Sequence, residues 1–180
     1  VQPIEYYPIS SAAWDYNMLR WLEEAQYDVG YITNLDTHLN PSLLLHTSIF
    51  LSSGHDEYWS SEMYDAVEFA RDTGVNVTFF SSNTAYWQIR LEPSRKTGVA
   101  NRIMVCYKDY DDPIFDANGS NVQKVTVLFS DKRVSRPEGK LLGVDHLLDP
   151  FDGDMIIDDA SHWAFRGTGL SKGSLLHGLL

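Results

Sequence analysis

The chain of 180 residues carries one cysteine, Cys106. No intrachain disulfide can form, and a cysteine-based zinc site is ruled out. Cys106 lies in the apolar run Ile103-Met104-Val105-Cys106-Tyr107, where a thiol packs as a small hydrophobe rather than acting as a nucleophile. Positive charge is scarce too: 14 Lys and Arg face 25 Asp and Glu, a net charge of −11. Nucleic acids and anionic membrane surfaces dock on basic faces, so neither is expected as a partner. No apolar run approaches the length that spans a bilayer. Neither Ser81 nor Ser82 stands in a G-x-S-x-G elbow, so a serine nucleophile is weakly supported there.

What is present is enough apolar material for one well-packed domain over residues 1–180, with 43% hydrophobic residues. The chain opens on Val1 and stops at Leu179-Leu180 straight after an apolar run, the pattern of a piece of a longer protein. Asn118-Gly119-Ser120 matches a glycosylation sequon, which matters only in a secreted protein; the compartment stays open between cytoplasmic and secreted.

Hydrophobic spacing predicts a helix over residues 13–26, with Trp14, Met18, Trp21, Leu22 and Ala25 on one face. Alternation of Tyr27, Val29 and Tyr31 predicts a strand over residues 27–33. Asn40-Pro41 opens a short helix. Residues 48–51 form the next strand, and Ser60 caps a helix over residues 61–73 whose stripe is Met63, Ala66, Val67 and Ala70. Residues 75–80 are strand-like. Further strands are expected over residues 102–107 and 124–129, and a helix over residues 135–142. Strands alternating with helices through short connections imply βαβ units. The expected fold is therefore a three-layer α/β domain on a parallel sheet, with additional β segments in the C-terminal half.

That fold would gather the loops after Thr33, Leu51 and Phe80 on one rim, at the carboxyl ends of the strands where ligands bind. The richest of these loops is Ser52-Ser53-Gly54-His55-Asp56-Glu57-Tyr58-Trp59. His55 and Glu57 are next-but-one neighbours, so an extended backbone points both the same way, as metal ligands or as a general base with its orienting partner. Asp56 then points elsewhere and is a candidate for the substrate pocket. As a glycosidase pair Asp56 and Glu57 are badly placed, since such carboxylates flank a bond from opposite sides. Asp36 and His38 on the neighbouring loop are candidates for the substrate pocket, beside a plain turn in which Asp36 bonds backbone. Asn83, in Ser81-Ser82-Asn83-Thr84, is a further pocket candidate on a segment able to cradle an oxyanion.

Several stretches together resemble the C-terminal domain of the N,N-dimethylformamidase large (beta) subunit family. They are Gly54-His55-Asp56-Glu57-Tyr58-Trp59-Ser60, Asp65-Ala66-Val67, Asn83-Thr84-Ala85-Tyr86-Trp87, Arg20-Trp21-Leu22-Glu23 and Asp159-Ala160-Ser161-His162-Trp163. The resemblance implies a class I glutamine-amidotransferase-like fold of the flavodoxin type. It also implies hydrolysis of a small amide at a mononuclear, non-haem iron held by two tyrosines and one glutamate. Glu57 maps onto the glutamate ligand and His55 onto its companion acid/base. Tyr16 is the candidate for one tyrosine, with Tyr6 and Tyr7 as alternatives. A small companion subunit or a homo-oligomer is implied as partner. Two rival classes remain beside the amidase: a non-catalytic carbohydrate- or ligand-binding module on the same fold, and a glycosidase-type enzyme.

Overall fold

The structure, a computed structural model, describes residues 11–108, 111–115, 118–145 and 153–178. Residues up to Asp145 form one compact unit and the remainder a second. The first unit opens with helix α1 (Ser11–Glu24). Two short turns of helix follow, α2 (Asn34–Leu39) and a 3-10 turn over Pro41–His46. Strands β1 (Ile49–His55) and β2 (Tyr58–Ser60) then lead into α3 (Ser61–Asp72). Strands β3 (Asn76–Ser82), β4 (Trp87–Glu92) and β5 (Ile103–Val105) come next, then a single helical turn, α4 (Gly139–Leu142).

The three-layer parallel sheet is not what forms. Among the described residues strand β1 pairs only with β3, in parallel, from Ile49 opposite Asn76 to His55 opposite Ser82. A separate mixed sheet has β4 in the middle, parallel to β2 and antiparallel to β5. The expected β1, α3, β3 crossover is there; a wide sheet around it is not. Part of the reason lies in residues 27–33, which join no strand ladder among the described residues. Of the alternating Tyr27, Val29 and Tyr31, both tyrosines are exposed and Val29 is only half-buried, so the alternation has little buried face to serve. Tyr31 instead donates its hydroxyl to Glu23 at 2.6 Å. Residues 124–129 likewise add no strand: their ladder to β4 is one isolated bridge, Trp87 to Leu128, backed by side-chain bonds from Gln88 and Arg90.

Helix α3 carries the core. Met63, Tyr64, Ala66, Val67 and Ala70 are buried along its inner face, packed with Trp59, Leu44, Phe129 and Leu141. Tyr64 and Phe129 lie with ring centroids 5.0 Å apart, and burial pushes the Tyr64 phenol up to about 12. The start of α3 is fixed by Ser60, whose hydroxyl accepts the Met63 N–H at 3.2 Å, while the Met63 thioether sits 3.5 Å from the Ser60 N–H. Ser60 is fully buried. Ser60→Ala is expected to lower unfolding free energy by about 1–2 kcal/mol, the upper range for a lost cap, as read by urea denaturation.

The second unit is small. Strands β6 (Met155–Ile156) and β7 (Leu175–Leu176) pair antiparallel, a 3-10 turn spans Trp163–Phe165, and Ile157 is buried. No helix among the described residues is long and apolar enough to cross a membrane.

Candidate functional site

The end of β1 and the short link to β2 carry His55, Asp56 and Glu57. Their backbone is held by the loop after β3. The Asp56 carbonyl accepts the Ala85 N–H at 3.1 Å, and the Glu57 carbonyl accepts both Tyr86 and Trp87 N–H, at 3.1 and 2.9 Å. That loop turns tightly enough to place Asn83 and Ala85 at φ 51° and 53°. Left-handed backbone costs a residue with a Cβ about 1 kcal/mol or more, so the surrounding contacts impose it. Gly54, at φ 79°, is needed for a second reason: a Cβ there would collide with the Asp15 carboxylate. Burial, opposed by a hydrogen bond from Ser53, raises that carboxyl above its usual range.

His55 and Glu57 meet. Nε2 of the imidazole lies 2.9 Å from Glu57 Oε2, and the Glu57 side chain is 13% exposed. Across the β1–β3 ladder, Ser82 Oγ lies 3.3 Å from His55 Nδ1. The other Glu57 oxygen faces Lys108, whose ammonium is 3.8 Å away. Lys108 donates to the Tyr58 hydroxyl at 2.7 Å and lies 5.0 and 5.2 Å from the ring centroids of Tyr58 and Trp87. The phenol first, and the Glu57 charge after it, hold the Lys108 ammonium above its ordinary range. Lys108 reaches this position from a left-handed backbone, φ 62°.

Asp56 points away from this pair. Its Oδ1 accepts Asn34 Nδ2 at 3.0 Å and its Oδ2 accepts Ser52 Oγ at 2.7 Å. Ser52 Oγ is 2.9 Å from Ser81 Oγ, which is 2.5 Å from Thr84 Oγ1. Each hydroxyl has one proton. Since Ser52 gives its own to Asp56, Ser81 must give to Ser52 and Thr84 to Ser81. The result is a directed relay that ends on the Asp56 carboxylate and ties three segments together.

His55, Asp56, Glu57 and Tyr58 line a cleft of about 400 Å³ together with Asn34 and Arg102. The other expected pocket residues are used elsewhere. Asp36 caps α2: its Oδ2 accepts the Thr33 N–H at 2.8 Å and hydroxyl at 2.7 Å, and these bonds, the hydroxyl first, hold its carboxyl below the usual range. His38 Nδ1 is 2.8 Å from Ser60 Oγ and 3.6 Å from Glu62 Oε2, at the start of α3. Asn83 lines neither this cleft nor a second cavity of about 570 Å³ whose lining includes Trp21, Phe79 and Ser82. Neither Lys108 nor Arg102 is a site candidate from sequence: Arg102 merely opens the expected strand over residues 102–107, and Lys108 follows it. The signal that points to them is positional: both flank the apolar run that becomes β5.

A family model described as N,N-dimethylformamidase beta subunit-like, C-terminal, matches residues 3–180. The chain belongs to this family. The resemblance carried by the Gly54-to-Ser60 motif is thereby borne out, while its amidotransferase-type sheet is not what the dimethylformamidase-like chain displays. Comparison with curated proteins gives no match.

The iron set implied by the family likeness can be tested against the donors. Glu57 has one oxygen on His55 and the other facing Lys108. Tyr58, the phenol lining the cleft, is bonded to the same ammonium. Tyr16 lies exposed on α1 and does not line the cleft. Tyr6 and Tyr7 lie outside the described residues. Among the described residues no group of three His, Cys, Asp or Glu converges either. These residues alone do not fit two tyrosinates and a glutamate around one ion.

Proposed function

We propose that this chain is the hydrolytic domain of a dimethylformamidase-like amidase, cleaving the C–N bond of a small amide with His55 as acid/base and Glu57 as its orienting partner. The observation that carries this reading is the 2.9 Å contact between His55 Nε2 and Glu57 Oε2 at the wall of a cleft. An ionised carboxylate accepts, so Nε2 carries the proton and Nδ1 is the basic nitrogen. Nδ1 takes the proton of an attacking water. It then returns that proton to the departing amine, while Glu57 balances the transient imidazolium. Iron ligation by Glu57 needs phenolates beyond those that the described residues bring to the cleft, so the proton transfers rest on the chain's own side chains. A companion subunit fits a family described as beta subunit-like.

His55→Ala is expected to lower kcat for small formamides and acetamides about 10²–10⁴-fold, the usual worth of a general base. Glu57→Gln should come close to it, because a carboxamide no longer fixes the tautomer. Unchanged turnover in both variants would sink the reading. The 3.3 Å approach of Ser82 to Nδ1 favours a second reading, in which the serine attacks. That distance is long for an O–H···N bond, and Ser82 lines the other cavity. Ser82→Ala is therefore expected to keep turnover within about tenfold, well short of the loss of a general base; a loss equal to that of His55→Ala would transfer the attack to Ser82.

A further inference from the structure

An acidic chain leaves few arginines unpaired. Arg20, Arg71, Arg90, Arg133 and Arg136 each hold a carboxylate. Arg95, Arg102 and Arg166 have no ion pair among the described residues, and of the three it is the exposed Arg102 that lines the cleft containing His55 and Glu57. Its backbone is firmly mounted. The Arg102 N–H donates to the Glu92 carbonyl at 2.9 Å, and Asn101 before it is left-handed at φ 57°. The next residue, Ile103, starts β5 in register with Glu92 of β4. The cleft carboxylates do not compete for the guanidinium, because Asp56 is taken by Asn34 and Ser52, and Glu57 by His55 and Lys108. Leu35, Met63, Ile89, Leu91 and Met104 supply apolar wall.

An unpaired guanidinium beside apolar wall is a receptor for a planar anion. A doubly charged phosphate is disfavoured by the two carboxylates already in the cleft; a single carboxylate is the charge that one arginine balances. We infer that the cleft binds a small amide carrying one carboxylate group, that Arg102 binds this carboxylate, and that Arg102 sets the specificity of the site. The amide half rests on the hydrolase reading; the anion half stands on Arg102 and the cleft.

The test uses the ketone 4-oxopentanoate, which has the shape of N-acetylglycine and cannot be hydrolysed, against the neutral and equally unhydrolysable 5-hydroxypentan-2-one. Titration calorimetry of the whole protein is expected to show at least tenfold tighter binding of the acid. Arg102→Gln should bring the acid to the level of the alcohol, and Arg102→Lys should retain part of the preference. Equal binding of both probes, binding of neither, or a preference that survives Arg102→Gln would overturn the inference. Tight acid binding without turnover of N-acetylglycine would leave the anion site standing and remove the hydrolase reading instead.

Discussion

Asp112→Asn is expected to be among the most destabilising single substitutions in the first unit, costing about 3–5 kcal/mol in urea unfolding at neutral pH. The Asp112 carboxylate is fully enclosed and 2.6 Å from Arg90 Nη1, on an arginine only 12% exposed. Its Oδ2 also accepts the Thr126 N–H at 3.0 Å and hydroxyl at 2.8 Å, and Oδ1 accepts the Ile114 N–H at 3.2 Å. Removing the charge leaves a buried guanidinium without its main counter-ion; Glu92, at 2.7 Å from Nε, stays. Burial by itself raises the Asp112 carboxyl, but Arg90, Thr126 and the backbone donors outweigh it, and the net shift is downward. A carboxyl whose folded pKa is depressed stabilises the fold above its unfolded pKa, and that contribution is lost as pH falls through the folded value. The gap between the native protein and Asp112→Asn should therefore be full at neutral pH and close as pH drops below the ordinary carboxylate range. A gap under about 1 kcal/mol at neutral pH would reduce this contact to the worth of a surface pair.

The same pair explains why part of the fold was hidden in the sequence. Strand β4 reads as polar, because Gln88, Arg90 and Glu92 resemble loop residues. Each has a buried or paired end. Gln88 is fully buried and donates its amide to the carbonyls of Val122 and Val125 at 2.6 and 2.7 Å. Arg90 has Asp112 and Glu92. Partners that arrive from residues 112–126 cannot be seen in a local window. The opposite error occurs over residues 27–33, where strand-like alternation meets no partner strand among the described residues. Helix α3 was legible because its information is local: a cap at Ser60 and a stripe of four residues, all buried. Sheet width is decided by pairing between distant segments, and periodicity carries no record of it.

The site divides along the same line. His55 and Glu57 share one short extended segment, so their meeting follows from next-but-one spacing. Lys108 and Arg102 come to the cleft side of the molecule only through the antiparallel pairing of β4 with β5. Asp36 shows how a capping carboxylate and a pocket carboxylate look alike in sequence, since a helix start also calls for a short acidic side chain; His38 meets the capping hydroxyl of Ser60.

Asp56 separates positioning from chemistry. Asp56→Ala removes the terminal acceptor of the Thr84, Ser81, Ser52 relay and frees Asn34. Ser52 and Thr84 are buried, so at least one hydroxyl loses its partner, at a cost of about 1–3 kcal/mol. The His55–Glu57 segment then loses the side-chain anchor between its two reacting residues and keeps its backbone bonds and the contacts of His55 and Glu57 themselves. A displacement on the order of 1 Å in an acid/base group costs about 10²-fold in rate, and that is the expected loss of amidase kcat. Asp56→Asn should behave differently. Its carbonyl oxygen still accepts from Ser52, and its amide can donate to Asn34 once that side chain turns its own oxygen inward. Turnover within about tenfold of the native protein is expected, because no reacting group is displaced. A carboxylate that took part in proton transfer would be disabled as fully by asparagine as by alanine. Equal loss in both variants would therefore place Asp56 among the reacting groups; recovery in Asp56→Asn with a loss in Asp56→Ala marks it as the anchor that aims His55 and Glu57.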